Sequence, residues 1–284
     1  MKKFRNKLIV TDLDGTFFNS SRQLVKRNLD AIEYFKENGG LFTIASGREP
    51  LTMGSVGPIA ATLTNAPAIL ANGSFTYNFG QKSMHNFMEL DYEKATEMLA
   101  LVRQEFPHIG IRISSNGGYY SPHANAFVKQ QLAPAMPALL AGGNYHEAEL
   151  SDIPHCGWFR VAFNEESDAL DALAAYLEPR YSEFFTFCKA EAEIYEFQSI
   201  RSTKGLGLDR LRAQLIAEGR ADDSLVSYAA GDYGNDLELL RHADVPCCPA
   251  NAIDSVKSIA LVHLCHCDDG CIGDLIERIE CGEA

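Results

Sequence analysis

The chain has 284 residues, 46% of them hydrophobic, enough to bury a full core in one large or two modest domains. Its net charge of −13 and pI near 5.0 oppose binding to polyphosphate backbones and leave no basic patch for an anionic membrane, which excludes nucleic acid and membrane as expected partners. The apolar run behind the basic start, Leu8 to Val10, is too short for a signal peptide or a span, so the eight cysteines read as reduced thiols of a cytoplasmic protein.

Leu8-Ile9-Val10 has the continuously apolar, β-branched character of a strand buried on both faces, and it ends in Thr11-Asp12-Leu13-Asp14-Gly15-Thr16. In open α/β sheets functional residues sit at the carboxyl ends of strands. Asp12 and Asp14 are therefore either two mutually repelling carboxylates that share a cation or ordinary turn residues. Asn19-Ser20-Ser21 then offers helix caps, and Val25, Leu29, Ile32 and Phe35 recur at helical spacing until Gly39-Gly40. A second strand, Leu41 to Ala45, ends in Ser46-Gly47-Arg48. Right-handed crossover brings Ser46 to the same sheet edge as Asp12, as a helix cap or as a ligand. A third strand, Ala68 to Ala71, ends in Asn72-Gly73, which is first a turn signal.

From about residue 83 to about 192 the pattern changes. Ile109 to Ser114, Asn116-Gly117-Gly118 and Tyr119-Tyr120 read as a β-hairpin. Phe159, Val161 and Phe163 alternate with Trp158, Arg160 and Ala162, the period of a strand with one face buried. Helical stretches carry Ala95, Met98, Leu99 and Val102, and later Leu170, Leu173 and Leu177. The segment reads as an α+β module with an antiparallel sheet and helices on one face, inserted into an α/β domain. Trp158, Arg160, Arg112 and His123 could face a ligand or solvent.

The parent domain is expected to resume with Ile194 to Phe197, followed by Ser202-Thr203-Lys204-Gly205 and a helix through Leu206, Leu208, Leu211 and Leu215. A lysine at a helix start opposes the helix dipole unless an anion sits there; otherwise it is a surface lysine. Leu225 to Ala230 is a strand ending in Gly231-Asp232-Tyr233-Gly234-Asn235-Asp236, carboxylates that share the sheet edge of Asp12. Near the end, Cys265, His266, Cys267 and Cys271 are either buried small thiols or ligands of a soft metal. Their spacing is not that of a structural zinc site, and they are expected to be metal-free.

In order along the chain, D-L-D-G-T ahead of Phe17-Phe18, Ala45-Ser46-Gly47-Arg48, Thr203-Lys204-Gly205-Leu206 and G-D-x-x-N-D from Gly231 to Asp236 resemble the motifs of the haloacid dehalogenase superfamily of phosphotransferases. Asn72-Gly73, Asn251-Ala252, Asp268-Asp269-Gly270 and the size of the insertion are similar to its Cof-like branch. The resemblance implies a Rossmann-like parallel-sheet core of residues 1–82 and 193–284 with an α+β cap of residues 83–192. It implies Asp12 as nucleophile and Asp14 as general acid and base. Mg²⁺ would be held by Asp12, the Asp14 backbone carbonyl and Asp232, with Asp236 behind them. Ser46, Gly47, Lys204 and Asn235 would surround the phosphoryl group, and Arg48 and Asn72 would reach the substrate.

The expected activity is hydrolysis of a small phosphorylated metabolite through an aspartyl-phosphate, by a monomer or homodimer. The rival readings are a phosphomutase, which passes the phosphoryl group to a second hydroxyl, and a non-catalytic phosphate sensor, for which an inserted lid has no use.

Overall fold

The computed structural model describes residues 2–284, which divide into two compact units, 2–86 with 203–284, and 87–202. The first is built on a five-stranded parallel sheet in the spatial order Val262–His263, Val245–Cys248, Val226–Ala230, Lys7–Thr11, Leu41–Ile44. The strand that carries Asp12 is thus flanked by partners on both sides, and Leu8, Ile9 and Val10 are fully buried. Leu8 and Val10 pack on one face with Leu208, Leu211 and Leu215 of the helix Lys204–Ala217. Each such side chain contributes about 1.5–3 kcal/mol on burial. On this scaffold the helices Lys26–Glu37 and Cys271–Cys281 pack against each other.

The caps expected at Asn19 to Ser21 do something else. The Asn19 Oδ1 accepts the backbone N–H groups of Ser21 and Gln23 and closes a turn, while the helix begins only at Lys26 with no side-chain cap. Beyond Leu70 a three-stranded antiparallel sheet, Ala68–Leu70, Phe75–Asn78 and Ser83–His85, is tied to the parallel sheet by a bridge between Ala45 and Ile69. Ser83–His85 therefore belongs to the first unit, past the boundary expected at residue 82.

The inserted unit carries a six-stranded sheet in the order Phe185–Glu191, Ile194–Ser199, Trp158–Asn164, Gly110–Ser115, Gly118–His123, Tyr145–Glu147. Its pairs are antiparallel except the last, which is parallel. The helices Tyr92–Glu105 and Ser167–Tyr181 cover one face through Met98, Leu99, Leu170 and Leu173, packed on Ile111, Ile113, Val161 and Phe163. Val128, Leu132 and Leu139 of two shorter helices gather around Tyr119 in a separate cluster. Two expectations are corrected here. Ile194 to Phe197 does not resume the parent domain, because Ile194–Ser199 pairs with both Phe185–Glu191 and Trp158–Asn164; the return comes at Thr203. Trp158–Asn164, expected to bury one face, is buried at all seven positions, so its polar face is closed as well.

Candidate active site

Asp12 is the first residue beyond the strand Lys7–Thr11, fixed by its N–H donating to Ala230 O at 2.9 Å. The chain then turns through Leu13–Phe17, with Gly15 at φ 83°. A Cβ at Gly15 would lie 2.5 Å from Asp232 Oδ2, so both the left-handed backbone and the close approach of that carboxylate require glycine. Thr16, in the same turn, donates its hydroxyl to Asp232 Oδ1 at 2.8 Å. One short turn thereby positions two carboxylates that are 220 residues apart in sequence (232 − 12).

Lys204 opens its helix behind Thr203, whose Oγ1 caps the N–H of Leu206. Its ammonium is fully buried and lies 2.6 Å from Asp12 Oδ1 and 2.7 Å from Asp236 Oδ1. Asp236 is itself fully buried, and its other oxygen accepts the N–H groups of Asp232 at 3.0 Å and Tyr233 at 3.1 Å. Both Asp236 oxygens are therefore engaged by the protein, which makes it a support rather than a direct ligand. Asp12 keeps Oδ2 and Asp232 keeps Oδ2 outside these bonds.

Oxygen atoms of Asp12, Asp232 and Asp236 lie within 4.8 Å of one another. Three carboxylates face one ammonium, so the cluster is short of positive charge. Burial pushes Asp12 up to about 7 against the pull of Lys204, and Asp236 and Asp232 push it further. Burial pushes Asp232 up to about 6. Lys204 is drawn down by burial but held above its ordinary value by Asp12 and Asp236, so it stays charged. Hard oxygen donors with an unmet negative charge are the chemistry of a Mg²⁺ site, and the residues present fit that ion.

The remaining expected residues divide. Ser46 is buried at the end of its strand, with its N–H on Ile69 O at 2.8 Å; its Oγ accepts the Arg48 N–H at 3.2 Å, so it turns the loop instead of capping a helix. Asn72 follows in the left-handed region at φ 51°, its N–H on Ser46 O at 3.1 Å and its buried Oδ1 without a hydrogen bond. A Cβ on Gly47 would come 3.0 Å from that Oδ1, which places Gly47 and Asn72 side by side. Arg48 is brought to Asp14, donating at 2.8 and 3.2 Å to its two oxygens, and Arg22 approaches the same carboxylate at 3.8 Å. Asn235 is exposed, and none of the hydrogen bonds that organise the carboxylates involves it.

Two residues that the sequence singled out without giving them a place in this site also shape it. Asn251 donates to Gly15 O at 2.7 Å and accepts the Cys267 N–H at 3.0 Å, while the Cys271 thiol donates to Thr16 O at 3.1 Å. The C-terminal segment thus grips consecutive carbonyls of the Leu13–Phe17 turn, which gives the buried Cys271 thiol a structural part. His266, Cys267 and Asp268 lie close enough to share an ion. Their lone pairs are used differently: Asp268 accepts from the Ser20 N–H and hydroxyl, and His266 Nδ1 accepts the Asp268 N–H at 3.2 Å. Burial, reinforced by Asp268, pushes the Cys267 thiol up to about 11.

A parallel sheet with paired carboxylates and a buried lysine at its strand ends defines the class, and the haloacid dehalogenase-like hydrolase family model matches residues 9–276: the chain belongs to that family. It is similar to the pyridoxal phosphate phosphatase of Escherichia coli, 20% identical over 258 residues covering 89% of this chain and 91% of that protein. It is also similar to the HMP-PP phosphatase of Yersinia enterocolitica, 24% identical over 258 residues covering 88% and 86%. A crystal structure of a Thermotoga maritima protein shares the fold with a TM-score of 0.78 at 20% identity, covering 97% of each chain. No helix among the described residues is long and apolar enough to cross a membrane.

Proposed function

We propose that the protein is a Mg²⁺-dependent phosphatase of small phosphorylated metabolites that works through an aspartyl-phosphate on Asp12. The observation that carries this reading is the buried Asp12–Lys204–Asp236 array with Asp232 beside it. In the first step Asp12 Oδ2 forms a bond to phosphorus while the bond from phosphorus to the leaving-group oxygen breaks, and the Asp14 carboxyl delivers its proton to that oxygen. In the second, water attacks phosphorus and gives a proton to the Asp14 carboxylate. The bond to Asp12 breaks, and inorganic phosphate leaves.

Bound Mg²⁺ supplies the positive charge that offsets repulsion between Asp12 and a phosphate dianion. Asp12 and Asp232 would hold it directly with the Asp14 carbonyl, and Asp236 would hold Lys204 and the Asp232 backbone in place. Lys204 keeps one Asp12 oxygen occupied, which orients the other for attack, and stands as a fixed cation beside the phosphoryl oxygens. The Ser46 hydroxyl accepts from Arg48 N–H, so its own proton is available to a phosphoryl oxygen. The Gly47 and Asn72 pair and exposed Asn235 would make lesser contacts. Arg48, whose Nη2 donates to both Asp14 oxygens, would position that side chain rather than the substrate. The inserted unit would select the leaving group.

The test is release of inorganic phosphate from a panel of phosphorylated metabolites with Mg²⁺, ranked by kcat/KM. Release that depends on Mg²⁺ and vanishes in Asp12→Asn supports the reading. Release that survives Asp12→Asn overturns it.

A further inference from the structure

The candidate soft-metal ligands of the C-terminal segment, Cys265, His266, Cys267 and Cys271, do not have the spacing of a structural zinc site, but the fold changes the set. Cys265 turns its sulfur to Arg27 Nη1 at 3.6 Å, and Cys271 turns its thiol to Thr16 O at 3.1 Å. The donors that meet are three consecutive residues instead. His266, Cys267 and Asp268 stand at the tight turn Cys267–Asp269, and their ligand atoms lie within 4.8 Å of one another.

The separations of these atoms fit one ion. His266 Nδ1 stands 3.3 Å from Asp268 Oδ2, and the Cys267 sulfur stands 3.8 Å from both His266 Nδ1 and Asp268 Oδ1. Around tetrahedral zinc, with bonds of about 2.3 Å to sulfur and about 2.0–2.2 Å to nitrogen and oxygen, the edges between donors come to roughly 3.3–3.7 Å. A thiolate, an imidazole and a carboxylate are donors for zinc and its neighbours, whereas the all-oxygen set of Asp12 and Asp232 suits Mg²⁺.

The donors are also held from outside. The Asp268 carboxylate accepts the Ser20 N–H at 2.7 Å and the Ser20 hydroxyl at 3.2 Å, and each of its oxygens keeps a second lone pair. The Cys267 N–H donates to Asn251 Oδ1 at 3.0 Å. Bonds of this kind orient metal ligands. His266 Nδ1 accepts the Asp268 N–H at 3.2 Å, a long bond that an ion would replace. Cys267 is buried, while the side chains of His266 and Asp268 are 40% and 44% exposed, which leaves the cluster open to solvent on one side.

We propose that His266, Cys267 and Asp268 form a second metal site, separate from the carboxylate cluster, for a borderline-soft divalent cation of the Zn²⁺ class. Binding releases the Cys267 thiol proton to solvent and forms a sulfur–metal bond, and water completes the coordination. The ion would lie one relay from the Leu13–Phe17 turn, since Asn251 accepts the Cys267 N–H and donates to Gly15 O. Through Asp268 it would also fasten Ser20 to the C-terminal segment. Occupancy should therefore stabilise this unit.

The test uses the metal-stripped full chain in excess Mg²⁺, with Co²⁺ as the spectroscopic probe. One equivalent of Co²⁺ should give a near-ultraviolet sulfur-to-cobalt charge-transfer band, and Zn²⁺ should remove the band by displacement. Cys267→Ser should abolish it, and His266→Ala, at a half-exposed position, should weaken Co²⁺ binding by about tenfold or more. Asp232→Asn should leave the band in place. Zn²⁺ should raise the Tm of the unaltered protein and not that of His266→Ala. No band in the unaltered protein, a band that survives Cys267→Ser, a band lost in Asp232→Asn, or equal Tm rises with and without His266 each overturn the inference. None of these readouts is phosphate release, so the site stands or falls apart from the phosphatase reading.

Discussion

The two units place their charged residues by opposite rules. In the parallel unit no strand interior carries a charged residue, and Asp12, Ser46, Lys204 and Asp232 stand at strand ends or helix starts, where backbone groups are free to hold them. In the inserted unit Arg112, Arg160 and Glu196 stand in mid-strand, on the sheet face opposite Val161 and Phe163. A parallel sheet covered by helices on both faces offers chemistry only at its edges. An antiparallel sheet sends alternate side chains to each face along its whole length and so can carry charge in mid-strand, with strand register setting the spacing. The first arrangement suits reacting atoms that must be fixed by several bonds each. The second suits a recognition surface whose residues can change singly without disturbing a backbone turn.

If that division is right, the largest losses of activity come from strand-end residues. Asp12→Asn should abolish phosphoryl transfer with every substrate, a fall on the order of 10⁴ or more in kcat, because the attacking carboxylate is gone. Asp14→Asn should lower turnover of alkyl phosphates by on the order of 10² to 10⁴, the usual worth of a positioned general acid and base. Aryl phosphates, whose leaving groups need little protonation, should still load Asp12 in that variant and then stall. Rapid-quench labelling with a ³²P aryl ester reads both: acid-stable, hydroxylamine-labile label accumulates on Asp14→Asn and is absent from Asp12→Asn. Label that persists without Asp12 would sink the assignment.

Much of the strand-end geometry was legible because it is written in short strings. Asp12 to Thr16, Lys204 after a capping threonine, and Asp232 to Asp236 each contain their own local geometry, so apolar runs and turn residues locate them. What could not be read depends on contacts between distant segments. Nothing near Arg48 announces that it donates to Asp14, and nothing near Asn251 announces that it holds Gly15. Each pairing exists only once two loops have been brought to one sheet edge. The inserted unit was legible as hairpin and helix periods, but its limits were not, since Ser83–His85 and Ile194–Ser199 carry the same alternation as the strands on either side of the boundary. Alternation also showed Arg160 on the face away from Val161 and Phe163, but a register shift beside Arg160 puts Trp158, expected on the Arg160 face, in the core with them; burial of the Arg160 face is a property of the folded unit, invisible to period.

A smaller effect sharpens the contrast by removing the buried cation of the strand-end site. Lys204→Met leaves three carboxylates near one another with no counter-charge, and loss of one member of a buried charge cluster typically costs about 3–5 kcal/mol. In metal-free buffer the variant should unfold at markedly lower urea than the parent, and Mg²⁺ should recover part of the difference. Arg160→Met, which breaks the 3.4 Å ion pair with Glu196 among its contacts, should cost less. Equal losses for the two variants would mean that the strand-end cluster is no more tightly balanced than the sheet face.

The smallest effect concerns protons in place of the metal. Asp12 is pushed up to about 7 and Asp232 to about 6, in both cases foremost by burial, whereas in an unfolded chain each titrates near 3.8. The folded metal-free protein therefore holds protons on these groups that the unfolded chain has already released. Their contribution to stability is complete below about pH 4 and is lost as pH rises through 6 to 7. Mg²⁺ has the opposite preference, since below pH 6 it must displace those protons and above pH 7 it meets bare carboxylates. The rise in Tm on adding saturating Mg²⁺ should accordingly be larger at pH 8 than at pH 5.5, by about twofold if both aspartates take part. Other groups make the stability of this acidic chain depend on pH, Asp222 among them, held down to about 2 by its hydrogen bonds with Ser224 and Asn6. Taking the difference with and without Mg²⁺ at each pH cancels them. Asp232→Asn should shrink the rise and flatten its dependence on pH, whereas Arg112→Gln, in the other unit, should leave both as they are. A Mg²⁺ shift that is equal at the two pH values, or larger at pH 5.5, would mean that Asp12 and Asp232 are not the groups that receive the ion.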